Sequence, residues 1–438
     1  MIKKSRKVRD YKALTKALPS LRYVDPESVF IHLQSGRCKT YEVYVEPGAH
    51  VKLGEVIGKR FGGFFEQPIH ATISGVVGEV TKKFHRTGRK VDVIEIRNDF
   101  KDTYHESIVD RPDHVIEELT QDDFVEIVKE KSLVGLGGSG FPTYIKLATK
   151  DKIDTVVINA VECEPYLSSD YRLILEHPGR VITGLKYIMQ ALGVKKGMIA
   201  IKGNKDPLFQ VLSQVLNVRF PELNIEVVKV GNYYPQGWEI EMFKSALNID
   251  IPHGVLPMKY GVIGFNVSTA AGIFDAVKHN LPVVKRYFTL TGDAIKFPQN
   301  YRVRVGSSVK ELIKLSDGYR GDLDELLVVM GGPMMGTSMT SDDVIVSKTT
   351  TSVIILENVE YKEEPCVRCG SCVYSCPVHI EPVQIMNAVK RNDKDVMKGL
   401  EAFKCIECGL CAYVCTSKIH VTDYVRKAKK LIGWLIWT

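Results

Sequence analysis

The chain lacks any long apolar run. No stretch of about 18 uncharged apolar residues occurs in it, so no helix that spans a membrane is predicted. Residues 1–10 are basic and polar and lack the apolar segment of a secretory signal. Of the ten cysteines, only Cys38 and Cys163 lie outside the stretch 366–415, and that distribution is unlike a disulfide framework. We therefore expect an intracellular, cytoplasmic protein.

Most of the chain also lacks a net charge of either sign. The net charge of +7 equals that of residues 1–23, which hold eight basic side chains and one acid, Asp10. Because no basic stripe follows, nucleic acid is not expected as a partner. The segment is either a solvated arm or a docking arm for an acidic partner or an anionic membrane surface, which would give peripheral membrane association. The basic side chains are Lys3, Lys4, Arg6, Lys7, Arg9, Lys12, Lys16 and Arg22.

The length of 438 residues is too great for one core, so several domains are expected. Short Val- and Ile-rich runs between turns predict a small β barrel or sandwich, and β-branched runs alternating with helical stretches predict a parallel α/β sheet. The fold class is thus multidomain α/β. The predicted division is a basic arm at 1–39, the barrel or sandwich at 40–100, the α/β domain at 115–286, a β-grasp-like domain at 287–358, a cysteine-rich domain at 361–425 and a short tail at 426–438.

Two segments of the first domain, 46–58 and 71–77, resemble the two halves of a biotinyl/lipoyl-type barrel-sandwich. The segment 61–67 between them contains no lysine that could carry a cofactor. We therefore expect this domain to be structural.

Eight cysteines form two rows with the same spacing, CxxCxxCxxxC. This spacing is that of bacterial ferredoxins, in which three close thiolates hold one [4Fe–4S] cluster and the fourth cysteine crosses to the other cluster. A pair of zinc sites is the alternative, but such sites usually use two separated CxxC pairs. We assign Cys366, Cys369, Cys372 and Cys415 to one cluster, and Cys405, Cys408, Cys411 and Cys376 to the other.

A glycine-rich loop, 135–146, lies between two stretches of helical character. Glycines allow backbone N–H groups to approach a phosphate closely, and Lys146 could neutralise it. The loop is not a Walker loop, because no Gly-Lys-Ser/Thr closes it, and no clear strand precedes it as in a Rossmann fingerprint. Glycine spacing alone leaves a nucleotide site as one interpretation among others.

This loop is similar to the FMN/NADH loop of the flavoprotein subunit of respiratory complex I, and closer still to that of RnfC, the peripheral subunit of the Rnf ferredoxin:NAD oxidoreductase. Three further segments resemble flavin segments of that family in the same order: 159–167 with Asp170, then 234–239, then 266–269. The segment Gly331-Gly-Pro-Met-Met-Gly336 and the order of the predicted domains are also similar to RnfC, whose β-grasp domain is of the SLBB type. The C-terminal part would then be a ferredoxin-like α domain.

The resemblance implies two [4Fe–4S] clusters, FMN and NAD(H) as cofactors, with no side-chain acid or base acting on the substrate. An aromatic ring can stack on a base, and carboxylates can accept hydrogen bonds from ribose or carboxamide groups. The implied FMN residues are Gly135, Gly137, Gly138, Lys146, Asn159, Asn266 and Thr269, and those implied to contact the nicotinamide nucleotide are Phe141, Glu164 and Glu239.

The implied activity is that of an NADH-dehydrogenase-type oxidoreductase, which passes electrons between NAD(H) and ferredoxin or other subunits of an electron transport complex. This chain departs from the family pattern, with Phe265 where the family commonly has an asparagine, Trp238 beside Glu239, and no N-terminal Gly-Gly-Ile-His-Pro segment. Two alternatives follow. One is a soluble RnfC-like carrier that feeds a reductase of the proline reductase or cobalamin reductase type; the other is a non-enzymatic electron conduit with a degenerate NADH site.

Overall fold

The computed structural model describes residues 7–23, 25–63, 65–359 and 361–433. Within these ranges the chain forms four β-sheets and ends in a group of short helices. The multidomain α/β class predicted from the sequence is confirmed.

The predicted barrel-sandwich is present, but its first strand lies before residue 40. Its strands are β2 Ser28–His32, β3 Thr40–Val43, β4 His50–Val51, β5 Val56–Gly62, β6 Phe65–His70, β7 Gly75–Phe84 and β8 Lys90–Asn98, whereas β1 Leu21–Tyr23 joins a different sheet. Two antiparallel sheets, with strand orders β2-β8-β7-β4 and β3-β5-β6, pack around an apolar core that includes Val29, Ile69 and Ile94.

The third sheet belongs to the α/β domain and is parallel throughout. Its strands are β9 Thr155–Ala160, β10 Lys196–Lys202, β11 Ile225–Val230 and β12 Val262–Asn266; its helices are α1 Asp113–Glu117, α2 Gln121–Glu130, α3 Thr143–Leu147, α4 Ser169–Glu176, α5 Pro178–Ala191, α6 Asp206–Arg219, α7 Glu239–Leu247 and α8 Val267–His279. The strand order is β11-β10-β9-β12. Helices bury the central strands on both faces, as the continuous β-branched runs predict.

The fourth sheet is mixed and follows the α/β domain. Its elements are β13 Lys285–Thr291, β14 Gln299–Arg304, α9 Val309–Leu315, β15 Leu326–Met330, β16 Thr337–Met339 and β17 Ser352–Glu357. The strand order is β1-β14-β13-β17-β15-β16. Helix α9 packs on the sheet through Val309, Leu312 and Ile313, which share a core with Phe288 and Val353.

The described part of the N-terminal basic segment does not project as an arm. Strand β1 pairs in parallel with β14, and Lys12 is 1% exposed, with its Nζ donating to the backbone oxygen of Glu162 at 2.9 Å. The ring of Tyr11 stacks on that of Tyr166, with centroids 4.7 Å apart. The segment is ordered because a buried carboxylate and backbone oxygens surround the Lys12 ammonium. Lys3, Lys4 and Arg6 lie outside the described residues.

The C-terminal group consists of α10 Ser371–Ser375, α11 Pro382–Lys390, α12 Lys394–Gly399, α13 Leu410–Tyr413 and α14 Val421–Leu431. Its core includes Ile385, Val389 and Val425, which bring α11 and α14 together. Helix α14 extends into the predicted tail, and residues 434–438 lie outside the described residues. Among the described helices, none is long and apolar enough to span a bilayer.

Candidate functional site

The parallel sheet has a crevice at the point where its strand order reverses. Strands β10 and β11 follow β9 on one side, whereas β12 returns to the other side of β9. In open α/β sheets, ligands bind outside the carboxyl ends of the strands at such a switch point. Asn159 near the end of β9 is paired in register with Asn266, the last residue of β12. The two asparagines named in the sequence analysis therefore lie side by side at the expected position.

The glycine loop runs over this crevice and is held by donors and acceptors from other units. The N–H of Leu136 donates to Thr269 Oγ1 at 2.9 Å, so the predicted threonine anchors the loop. Gly137 lies so close to Asn266 that an added Cβ would be 2.8 Å from its Cγ and Nδ2. Within the described residues, the N–H groups of Gly137 and Gly138 have no protein acceptor. Such a cradle suits a phosphate or a flavin edge.

Lys146, on α3, lies at the other end of the loop. Its Nζ donates to the carbonyl of Gly264 at 2.8 Å and is 3.3 Å from Glu239 Oε1. Lys146 also lies over the ring of Phe265, at 5.6 Å from the centroid. Glu239 begins α7 and approaches Gly264 closely, where a Cβ would be 2.5 Å from Oε1. The structure thus brings two predicted residues, Lys146 and Glu239, into an ion pair at the crevice.

Asn266 has two roles that fix its side chain. Its Oδ1 accepts from the N–H groups of Ser268 and Thr269 and thereby caps α8, while its Nδ2 donates to Asp170 Oδ2 at 2.6 Å. Ser268 Oγ donates to the other oxygen of Asp170, at 2.7 Å. Asn159 Nδ2 donates to the carbonyl of Gly237 at 2.8 Å. Both asparagines are therefore oriented by the protein itself.

Glu164 is engaged with neighbouring units rather than open to the crevice. Its Oε2 accepts from the N–H of Met334 at 3.1 Å, and Tyr234 Oη lies 3.4 Å from its Oε1. A Cβ on Gly332 would be 2.1 Å from Glu164 Oε2, so this loop of the fourth sheet fits tightly over the carboxyl group. Burial raises the pKa of Glu164 to about 7, so this group exchanges a proton near neutral pH.

Phe141 lies on the side of the loop that faces the barrel-sandwich. Its ring meets that of Phe65 edge-on, with centroids 6.5 Å apart and planes at 79°. The barrel-sandwich therefore supplies an aromatic neighbour to the residue that the resemblance assigns to the nicotinamide nucleotide.

Four cysteines line one apolar cavity in the C-terminal group: Cys376, Cys405, Cys408 and Cys411. These are the members of the second predicted set, with Cys376 contributed by the first row. In the other set, Cys372 and Cys415 pack in a neighbouring core, whereas Cys366 and Cys369 are exposed.

Burial raises the pKa of Cys405 to about 11 and that of Cys408 and Cys411 to about 12. Buried thiols of this kind are not available as free thiolates at neutral pH, but metal coordination deprotonates a thiol outright. The four cysteines that line this cavity are the kind of thiolate donors that hold a [4Fe–4S] cluster.

Three residues that support the site were not predicted from the sequence. Arg86 of the barrel-sandwich donates to the carbonyl of Gly138 at 2.7 Å, and Arg286 of β13 donates to that of Leu136 at 2.8 Å. Tyr234 was also missed, although it lies in a segment that resembles the family; it donates to the carbonyl of Cys408 at 2.8 Å. The only general signal for such residues is that buried backbone carbonyl groups need hydrogen-bond donors, and this need does not say which side chains supply them.

Comparison with protein families gives three matches along the chain. Residues 2–101 match the RnfC barrel sandwich hybrid domain, residues 128–275 the Nuo51 FMN-binding domain, and residues 358–416 a 4Fe-4S dicluster domain. The cofactors FMN and [4Fe–4S] are thus supported by models that cover the crevice and both cysteine rows.

Two curated relatives cover most of the chain, and both are subunits of ferredoxin:NAD(+) oxidoreductase complexes. The one from the Na(+)-translocating complex of Acetobacterium woodii is 36% identical over 412 residues, which are 93% of this chain and 91% of the relative. The one from the proton-translocating complex of Clostridium ljungdahlii is 33% identical over 82% of this chain and 77% of the relative. Among solved structures, the NAD+-reducing [NiFe]-hydrogenase in the H2-reduced state matches 74% of this chain and 65% of its own, with a TM-score of 0.49 and 17% identity.

Proposed function

This chain belongs to the RnfC family, and we propose on that premise that it transfers electrons between NAD(H) and partner subunits of an ion-translocating ferredoxin:NAD oxidoreductase complex. Its membership of the family, its FMN-binding domain and its 4Fe-4S domain make it an electron-transfer oxidoreductase. Ferredoxin as the redox partner and a position on the cytoplasmic face of the membrane belong to the proposal. FMN, when bound, exchanges a hydride with a nicotinamide and passes electrons on singly.

The observation that carries the proposal is the contact between the flavin domain and the second cysteine row. Tyr234, from the flavin domain, donates to the carbonyl of Cys408, and an added Cβ on Gly409 would be 2.6 Å from the carbonyl oxygen of Met334. Tyr234 and Met334 both also contact Glu164. The second row is therefore joined directly to the unit that holds the flavin residues.

The two cysteine sets differ in exposure, and we use this difference to order the two predicted clusters along the electron-transfer route. Cys376, Cys408 and Cys411 are buried, and Cys408 packs with Tyr234 of the flavin domain, whereas Cys366 and Cys369 are exposed at the surface. We place the buried set next to the flavin and the exposed set next to the redox partner.

In this scheme the residues of the crevice bind and orient FMN and the nicotinamide nucleotide. The N–H groups of Gly137 and Gly138 and the Lys146 ammonium would hold FMN, while Asn159 and Asn266 stand at the strand ends beside it. The ring of Phe141 would stack on the nucleotide. The resemblance assigns Glu164 to the nucleotide, but its carboxyl group is engaged by Met334 and Tyr234, so we give it a supporting role beside the second cysteine row.

The test is an anaerobic titration of the cofactor-loaded protein with NADH, followed by visible absorbance and EPR. We expect NADH to bleach the flavin and to produce reduced-cluster signals. In Cys366→Ala the buried set remains, so NADH should still reduce one cluster. In Cys408→Ala the route is broken next to the flavin, so flavin bleaching should persist while reduction of the remaining cluster is slowed. Cys38→Ala, outside both rows, is the control.

A different result would favour the alternative of a non-enzymatic electron conduit with a degenerate NADH site. Phe265 is 4% exposed and lies under Lys146, so a side chain that cannot hydrogen-bond occupies a position next to the proposed flavin. If dithionite reduces the clusters while NADH changes neither absorbance nor EPR and no FMN is retained, the protein passes electrons between two partners without a nucleotide reaction.

A further inference from the structure

A second cavity, of about 290 Å³, lies behind the glycine loop, between α5, α8 and the start of β13. Residues from all three elements line it, together with Leu136 of the loop and Arg302 of β14. Its volume is close to the lower end of the range of about 300–1,000 Å³ that small-molecule sites occupy. The crevice residues Asn159, Lys146 and Glu239 are not among its lining residues.

The lining is strongly cationic. Four of its side chains carry a positive charge, and the carboxylate of Asp275 in the same lining is already ion-paired with Arg180. His177 and His279 also line the cavity, and His279 Nδ1 lies 2.6 Å from Asp110, an exposed carboxylate outside the cavity. The four cationic side chains are Arg180, Lys285, Arg286 and Arg302.

Arg286 is the most deeply buried of these, at 3% exposed. One Nη donates to the Leu136 carbonyl, but among the described residues its Nε has no acceptor. That Nε is closed to water-sized molecules, so an acceptor in the cavity would reach this guanidinium through its Nη atoms. Asp170, a carboxylate whose charge favours that of Arg286, is engaged by Asn266 and Ser268.

Positive charges also act on two further lining groups. Burial, followed by the positive charge of Arg304 outside the cavity, lowers the pKa of Lys285 to about 8; Arg302 acts in the same direction, and Asp102 opposes it. Burial, and then the charges of Arg180 and Arg302, lowers the pKa of His177. An anion between these groups would offset their positive charge. The planar fork of a guanidinium matches the oxygens of carboxylates and phosphates, and a phosphate brings the larger negative charge.

We propose that this cavity is a binding site for a phosphate-bearing small molecule, separate from the flavin crevice. The phosphate oxygens would accept from Arg286 and Arg302, with Lys285 adding charge. The ligand is no larger than a mononucleotide, as the volume requires. A free phosphate ester and a lipid headgroup share this chemistry, and the experiment distinguishes them.

The first test is titration calorimetry of the cofactor-loaded protein with inorganic pyrophosphate in saturating NAD+, which occupies the nucleotide site. We expect binding of one pyrophosphate per chain and at least tenfold weaker binding in K285Q/R302Q. The double variant K296Q/K314Q removes the same charge from exposed positions outside the cavity and should bind as the wild type does. Retention of FMN reports that each variant is folded, and Arg180→Gln serves as a second cavity variant.

Absence of pyrophosphate binding to the wild type, or equal weakening in the cavity and control variants, would overturn the proposal. Sedimentation with vesicles of phosphatidylglycerol and phosphatidylcholine then distinguishes a lipid headgroup from a free phosphate ester as the ligand. Vesicle binding that K285Q/R302Q loses and K296Q/K314Q keeps identifies a lipid headgroup. Pyrophosphate binding without vesicle binding identifies a free phosphorylated ligand.

Discussion

His85 gives a quantitative test of the packing within the barrel-sandwich. It is 6% exposed, its ring meets that of His32 edge-on at 5.2 Å, and its Nδ1 lies 2.9 Å from Thr87 Oγ1. Within the described residues its Nε2 has no partner. Burial, followed by the positive charge of Arg86, lowers the pKa of His85 to about 3. The ring is therefore neutral in the folded protein at any ordinary pH.

The sign of the pH dependence follows from this shift. An unfolded histidine titrates near pH 6.5, so below that value the unfolded chain binds a proton that the folded chain does not. Stability is then complete above pH 6.5 and is lost as the pH falls. At pH 5.5 the proton favours the unfolded chain by RT ln(1 + 10), or about 1.4 kcal/mol. His85→Gln removes this contribution and leaves the other histidines in place.

Hydrogen exchange measured by mass spectrometry reports the opening free energy of β7 and β8, where His85 follows the end of β7. After correction for the intrinsic exchange rate, protection between pH 8 and pH 5.5 should fall about tenfold more in the wild type than in His85→Gln. His114→Gln, an exposed histidine on α1, should match the wild type. An equal pH dependence in the wild type and His85→Gln would refute the reasoning, because it would mean that the folded protein accommodates the charged ring.

Three further predictions concern the site and its supports. Lys12→Ala leaves the buried carboxyl group of Glu162 without its ammonium and should destabilise the protein by about 3 kcal/mol in thermal unfolding, whereas the exposed Lys7→Ala should have little effect. Gly137→Ala places a Cβ at 2.8 Å from the cap of α8 and should weaken FMN binding at least about tenfold in a fluorescence titration, whereas Gly399→Ala, with open space around its Cβ, should bind as the wild type does. Tyr234→Phe leaves a buried carbonyl of the second row unpaired, at a cost of about 1–3 kcal/mol, and in stopped-flow experiments should slow cluster reduction while flavin bleaching by NADH keeps its rate. Unchanged flavin affinity in Gly137→Ala, or equal rates of cluster reduction in Tyr234→Phe, would contradict the respective assignments.

Much of the α/β domain could be predicted because its signals are local. Strand β11, Ile225–Val230, is a β-branched run between turns, and such a signal is contained within one element. The parallel arrangement followed from the alternation of strands with helices. The loop residues Gly137 and Thr269 were placed through the family resemblance, and the structure brings both to the crevice.

Long-range pairings left no comparable signal. The sequence of 21–23 does not indicate that this short segment pairs with β14, about 280 residues further along the chain. Lysine is rarely buried, so a basic N-terminal segment favours a solvated arm by composition alone. Lys12 departs from that expectation because Glu162 and the carbonyl of Leu167 surround its ammonium, and only the fold brings them together.

The geometry of the glycine loop explains why this flavin domain is packed between two β domains. The carbonyls of Gly138 and Leu136 are held by arginines from different units, Arg86 from the barrel-sandwich and Arg286 from the fourth sheet. A carbonyl bound by a guanidinium is not available to turn toward an anion, and among the described residues the N–H groups of Gly137 and Gly138 find no acceptor. Two neighbouring units thus fix the direction of the loop's peptides from outside, which is the preorganisation that a phosphate site requires. The flavin domain alone would lack both donors, so its affinity for FMN should depend on domains that contribute no predicted FMN ligand.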